Sequence, residues 1–255
     1  MSARQYHLQV ERGEVGEYVL LPGDPARCEL IATRLEGARQ VASHREFTTF
    51  TGSLDGTPVS VTSTGIGGPS AAIAVEELVK VGAGTLLRVG TCGALDAALG
   101  PGDVVVVQAA AHDGGTAGQY VPAGFPVIAD TDVVLALRDE AVAAGHRWRL
   151  GVVFSNDAFY AEMEPDLFPL QHRIGESWQA WARAGCVAVE MEAATVLAVA
   201  AVRRVRAGAV LAVIDRAGAG MAGMPDAHRL PLDAAIGTAV GGLRRLIAMD
   251  RRAGA

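Results

Sequence analysis

Three short stretches of the sequence gather fixed positive charge and backbone donors: Leu-Pro-Gly-Asp-Pro-Ala-Arg at 21–27, His-Arg-Glu-Phe-Thr at 44–48 and Leu-Arg-Val-Gly-Thr-Cys-Gly-Ala at 87–94. A glycine lets backbone N–H groups come close to an anion, and an arginine supplies a planar, permanently charged fork for its oxygens. The middle stretch has the arginine but no glycine. In an acidic chain such units point to a small tetrahedral anion, most simply inorganic phosphate. Gly23 and Asp24 follow an apolar run at 19–21, and Arg27 falls just inside the next helix; the alternative is a helix start capped by Asp24 with a solvated Arg27. Arg88 interrupts the apolar run 85–89, where an unpaired charge would cost several kcal/mol. It needs an anionic partner, either a ligand oxygen at the adjacent Gly90-Thr91 turn or a structural carboxylate. Thr91 adds a hydroxyl and an N–H. Neither a P-loop nor a G-x-G-x-x-G pattern is present, which favours inorganic phosphate over a nucleoside triphosphate or dinucleotide.

A second set of residues suits a sugar and a base. Val189-Glu190-Met191-Glu192 places two carboxylates where a strand gives way to a helix. A carboxylate accepts from both hydroxyls of a ribose, and a methionine offers soft apolar contact; an acid-rich helix start is the competing explanation. Asn156-Asp157-Ala158-Phe159-Tyr160 offers an aromatic face, and Asp215-Arg216 ends another apolar run with a candidate acid or base-reading cation.

The elements that must position these groups alternate. Apolar, β-branched runs at 59–63, 85–89, 103–107, 150–154, 187–189 and 209–214 predict strands. Helical spacing over 69–81, 132–144, 192–202 and 233–249 predicts helices. Pro69 stands at a first-turn position. The segment 216–230 is glycine-rich without a period and reads as a loop after a strand end, where α/β folds build ligand sites. We find no internal repeat or long linker and expect one domain over 1–255.

Composition sets the bounds. With 255 residues, half of them hydrophobic and 20% charged, a large core is available. A net charge of −6 disfavours a broad basic face for nucleic acid. Cys28, Cys92 and Cys186 are too few and too scattered for a disulfide framework or a metal site. No stretch resembles a signal peptide or a membrane span, so a soluble, cytoplasmic protein is expected.

In its motif order the chain resembles the nucleoside phosphorylase-I superfamily, most closely uridine phosphorylases. The resemblance rests on Gly23-Asp24-Pro25-Ala26-Arg27, Ser43-His44-Arg45-Glu46-Phe47-Thr48-Thr49, Ser63-Thr64-Gly65-Ile66-Gly67-Gly68-Pro69-Ser70, Leu87-Arg88-Val89-Gly90-Thr91 and Glu190-Met191-Glu192. It implies a three-layer α/β/α domain with a mixed, partly barrel-closed sheet. It also implies a hexamer of dimers that share active sites. By the same resemblance Gly23, Arg27, Arg88 and Thr91 bind phosphate, with Arg45 from a neighbour. Met191 and Glu192 hold the ribose, and a neighbour's His7 meets the 5′-hydroxyl. Phe159 and Met163 lie at the base. The implied reaction is phosphorolysis of an N-glycosidic bond. Phosphate is the co-substrate, Asp215 or Arg216 assists the leaving base beside Arg88, and no metal or organic cofactor is needed. The sequence departs from the uridine phosphorylases where a Gln and an Arg read uracil: Met163 and Pro165 stand there, and Gln171 and Arg173 share only the spacing. Alternatives are a purine nucleoside phosphorylase, a phosphate-independent nucleosidase, and a nucleoside-binding homologue of low turnover.

Overall fold

The computed structural model describes residues 4–253 apart from Ala219 and His228. The chain runs β1 (Tyr18–Pro22), α1 (Pro25–Ala32), β2 (Glu36–His44), β3 (Phe47–Leu54), β4 (Thr57–Thr62), α2 (Gly68–Val81), β5 (Thr85–Ala94) and β6 (Val104–His112). It continues with α3 (Ala117–Tyr120), α4 (Thr131–Ala143), β7 (Trp148–Ser155), α5 (Phe159–Met163), α6 (Gln171–Arg183), β8 (Ala188–Glu190), α7 (Ala193–Arg203), β9 (Arg206–Arg216) and α8 (Asp233–Ala253).

Strands β1 and β5 sit mid-sheet and are buried along most of their length, as continuous apolar runs in parallel sheets are. The strand order is β2-β3-β4-β1-β5-β8-β7-β6-β9, and β9 pairs back onto β5. The segment from β5 to β9 therefore closes into a five-stranded barrel, and β1 to β4 extend from it as an open wing. Pairing is mixed: β1 is parallel to β4 and β5, and β5 to β9, whereas β6 with β9 and β5 with β8 are antiparallel. Helices cover this sheet in two groups, α2 with α3 and α7, and α4 with α8, giving three layers. The second pair is tight: a Cβ at Gly242 would lie 2.8 Å from Leu137 Cδ2. Among the described residues no helix is long and apolar enough to cross a membrane.

Three sequence expectations change. The run at 85–89 does not end in a turn at Gly90. Strand β5 continues through Gly90-Thr91-Cys92-Gly93 to Ala94, paired residue by residue with β9. Gly90 is there for space, since a Cβ would meet Arg88 Nη2 at 2.8 Å. The hairpin β2–β3 was not predicted, because its first strand is largely exposed and lacks an apolar stripe. Helix α6 was also missed. The glycine-rich segment after β9 is irregular where described, with one 3₁₀ turn at Met221–Gly223.

Candidate active site

The C-terminal ends of β1, β5, β7, β8 and β9 open into one cleft of about 920 Å³. Open α/β sheets put ligands at this edge, where diverging chains leave a crevice. Gly23, Asp24 and Arg27 enter it from the β1–α1 junction, and Gly65, Ile66 and Ser70 from the start of α2. Asp24 caps α1 through the Ala26 N–H, 2.9 Å away, so the helix start and the arginine are placed by one residue.

At the anion end, Arg88 is 4% exposed, and its partners are carboxylates of its own chain. Its Nε donates to Glu190 Oε2 at 2.9 Å and its Nη2 reaches Glu192 Oε2 at 2.5 Å. These two charges outweigh burial and keep the guanidinium firmly protonated. The structural-carboxylate alternative thus accounts for two of its nitrogens. The third, Nη1, is buried without a hydrogen-bond partner among the described residues. Arg27 reaches Asp24 only at 3.9 Å. Burial pushes its guanidinium below the ordinary value, Asp24 opposes this, and the positive charge of Arg88 adds to it. Thr91 lines the same end of the cleft.

The two acids at the β8–α7 junction divide their work. Glu190 is consumed internally: besides Arg88 it accepts from the Glu192 and Ala193 N–H groups and from the Ser155 hydroxyl, closing the start of α7. Glu192 takes the Gly67 N–H at 2.5 Å, and burial, with the repulsion of Glu190, raises its carboxyl despite Arg88. Gly67, at φ +88, supplies that N–H from a conformation that L side chains rarely adopt. Met191 lies between the two acids in the cleft wall.

At the far end, β9 shifts register against β5: Cys92 pairs with Val213 but Gly93 with Asp215. This bulge leaves Ile214 unpaired and lets Ile214 and Asp215 both face the cleft. Burial raises the Asp215 carboxyl. Phe159, Met163 and Tyr160 come from α5, with the Phe159 and Tyr160 rings edge to face at 5.3 Å. Asn156, Glu162 and Trp178 also line this end. Asn156 Nδ2 donates to Glu162, while Asn156 Oδ1 and Trp178 Nε1 are buried without partners among the described residues. Burial, with Asp113 and Asp157 adding, pushes the Glu162 carboxyl up to about 7. The Trp178 indole approaches it and acts the other way without closing a hydrogen bond.

The cleft therefore gathers Gly23, Arg27, Arg88, Thr91, Phe159, Met163, Met191, Glu192 and Asp215. Among its described lining, His7, Arg45, Arg216, Gln171 and Arg173 do not occur. Arg216 is turned away, donating from Nη2 to the Ala97 carbonyl at 2.9 Å, because ordinary strand alternation resumes after the bulge and sends the residue after Asp215 to the opposite face. His7 is held by Glu77, with Nδ1 2.7 Å from Oε1 and two backbone N–H groups on the same carboxylate. Arg45 occupies the two-residue turn of the β2–β3 hairpin at φ 55. Glu162 and Trp178 were missed from sequence. The spacing of Ile174, Trp178 and Trp181 would have revealed the helix that carries the indole.

Residues 17–238 match the family model described as the phosphorylase superfamily. A uridine phosphorylase of Treponema pallidum is 42% identical over 96% of this chain and 95% of its own length. A guanosine phosphorylase of Halorubrum lacusprofundi is 43% identical over 83% of each chain. A uridine phosphorylase of Escherichia coli is 40% identical over 82% of this chain and 85% of its own length. With its fold and similarity to these proteins over most of its length, this chain belongs to the phosphorylase superfamily.

Proposed function

We propose that the protein is a nucleoside phosphorylase, cleaving the N-glycosidic bond of a nucleoside with inorganic phosphate to give a free base and a pentose 1-phosphate. The observation that carries this is the anion end of the cleft. Two desolvated guanidinium groups, Arg27 and Arg88, repel each other there, and one buried Nη1 lacks an acceptor. A phosphate dianion would relieve both. The Gly23 backbone and Thr91 stand beside it as further donors.

In this reading Glu192 and Met191 hold the ribose above the phosphate. As the bond to the base lengthens, positive charge grows on the sugar and negative charge on the base. Phosphate stabilises the first and then bonds to C1′. The electron pair of the broken bond leaves with the base, and Asp215, whose raised carboxyl holds its proton more readily, hydrogen-bonds to or protonates the base. Arg216 takes no part, since its guanidinium lies outside the cleft. The chemistry requires no metal or organic cofactor.

We assign His7 and Arg45 to a neighbouring subunit's site, within a homo-oligomer built from dimers and completed as a hexamer, and we place the protein in the cytoplasm. The exposed hairpin turn and the Glu77-anchored arm support the shared site. Base release from a nucleoside panel, followed with and without phosphate, tests the reaction. We expect release only with phosphate, and a pentose 1-phosphate as product. Equal release in phosphate-free buffer would make the enzyme a hydrolase.

A further inference from the structure

We infer that Glu162, Asn156 and Trp178 form a base-reading set that selects a 2-amino-6-oxopurine, the guanine type, over uracil. The inference deepens the nucleoside phosphorylase reading and rests on it for the placement of the base. It starts from the hydrogen-bonding capacity that these three cleft-lining residues leave unpaired. Asn156 donates Nδ2 to a Glu162 carboxyl oxygen, and this orients the amide with Oδ1 turned away from that contact. The carbonyl Oδ1 is left buried and without a partner among the described residues. Once the raised Glu162 carboxyl is ionised, above about pH 7, its second oxygen adds another acceptor beside it. Trp178 supplies one N–H, also buried and unpartnered. The set is thus two acceptors and one donor.

The polar edge of a guanine-type base is complementary: its 6-oxo group accepts, while N1–H and the 2-amino group donate. Uracil presents two carbonyls around a single N–H and needs two donors and one acceptor. In this cleft one of its carbonyls would face a carboxylate. Hypoxanthine fits but lacks the 2-amino donor. A site built of buried polar groups discriminates strongly, because a mismatched ligand leaves them unpaired. The Phe159 ring and Met163 give the apolar surround, and a cleft of about 920 Å³ admits a purine nucleoside. Neither Met163 nor Pro165 offers a donor that could serve uracil instead.

The test compares kcat/KM at saturating phosphate and about pH 8, where Glu162 is ionised, for guanosine, inosine and uridine, in the wild type, Glu162→Gln and Trp178→Phe. The wild type should favour guanosine over inosine, and inosine over uridine. Glu162→Gln replaces an acceptor by an amide donor and should lower the guanosine-to-uridine ratio by at least about 10-fold. Trp178→Phe keeps the ring and should weaken guanosine and inosine alike. A wild type that prefers uridine, or a folded Glu162→Gln enzyme with an unchanged ratio, overturns the inference while leaving phosphorolysis intact. If no nucleoside is cleaved, the reaction assigned above falls instead, and titration calorimetry with guanosine decides this inference. Binding weakened about 10-fold by Glu162→Gln supports it, and equal binding of guanosine and uridine by the wild type overturns it.

Discussion

Arg88 carries two burdens that its neighbour Arg27 does not. It neutralises Glu190 and Glu192 in a buried triad, and its Nη1 is left buried without a hydrogen-bond partner among the described residues. Removing one partner of a buried charge cluster costs about 3–5 kcal/mol, because the others stay behind uncompensated. Arg88→Ala should therefore lower the melting temperature as well as activity, which makes it a poor test of phosphate binding. Arg27→Gln is the cleaner probe. It relieves the repulsion with Arg88, so the protein should melt no lower than the wild type. KM for phosphate should rise on the order of 10-fold or more with the loss of a charge-assisted contact. A melting temperature that falls, or an unchanged phosphate KM, would remove Arg27 from the anion site. Glu162 makes a separate prediction. Its carboxyl is raised to about 7 in the folded protein against an ordinary 4.5, with Asp113 and Asp157 on the same side of the balance and Trp178 opposed. The folded state holds this proton between those values. The stability it confers is full below about pH 4.5 and is lost as pH rises through 7. Gln at 162 never ionises. The melting temperature of Glu162→Gln minus that of the wild type should grow between pH 5 and 7, reach several degrees, and then level off. A difference that stays flat over this range would show that the carboxyl titrates normally.

At the scale of elements, what the sequence reveals depends on which physical constraint each segment obeys. Strands β1, β5, β6 and β9 are buried over most of their length, so each carries a continuous apolar run and its existence is legible. Helix α2 announces itself by Pro69 at its start and Gly82 in the left-handed conformation at its end. The β2–β3 hairpin obeys a weaker constraint. Its outer strand is exposed, and the usual Asn or Gly of a tight turn is replaced by Arg45. A non-glycine residue held at positive φ marks a position kept for its side chain, which fits the assignment of Arg45 to a neighbouring site. Helix α6 lacks a side-chain cap and buries no residue fully, so its boundaries are weakly marked; the i, i+4, i+7 spacing of Ile174, Trp178 and Trp181 reports it, with Trp181 stacking on Phe154 at 5.1 Å. The cleft residues that we assign to phosphate and ribose were legible because charged residues in apolar strands and at strand ends stand out. The end we assign to the base was not, because Glu162 lies on a five-residue helix and Trp178 on a helix with no side-chain cap and no fully buried residue. Gly90 and Gly93 were visible but misread. They leave room for the Arg88 guanidinium and for the Asp215 carboxylate rather than making a turn.

At the scale of the whole molecule, the N-terminal arm and the β2–β3 hairpin form one outward unit. His44 Nδ1 lies 2.9 Å from the His7 carbonyl, and Glu77 fixes His7 from below. The cleft rim beside this unit exposes Ile66 at 80%, and the adjoining Glu46 lies in the cleft wall. A two-fold axis near this rim would bring each subunit's arm and hairpin over the other's cleft, covering Ile66 and delivering Arg45 and His7 together. The contact would be isologous, so each dimer would hold two sites of mixed parentage. This geometry makes a quantitative prediction. An Arg45→Ala subunit keeps its own Glu192 but cannot complete its neighbour's site. A Glu192→Ala subunit has the opposite defect. Each homodimer should be nearly inactive. In a hybrid dimer the site that takes Glu192 from the first subunit and Arg45 from the second is intact, while the other site has lost both. Random pairing makes half of the dimers hybrids with one good site in two, so an equal mixture should recover about a quarter of wild-type activity. Co-expression with two affinity tags provides the measurement: the unfractionated mixture should show about a quarter of wild-type activity, and hybrid dimers isolated through both tags should show about half per dimer. Verified hybrids that stay as inactive as their parents would place Arg45 outside the neighbour's site. A monomer that retains full activity by light scattering and assay would remove the shared site altogether.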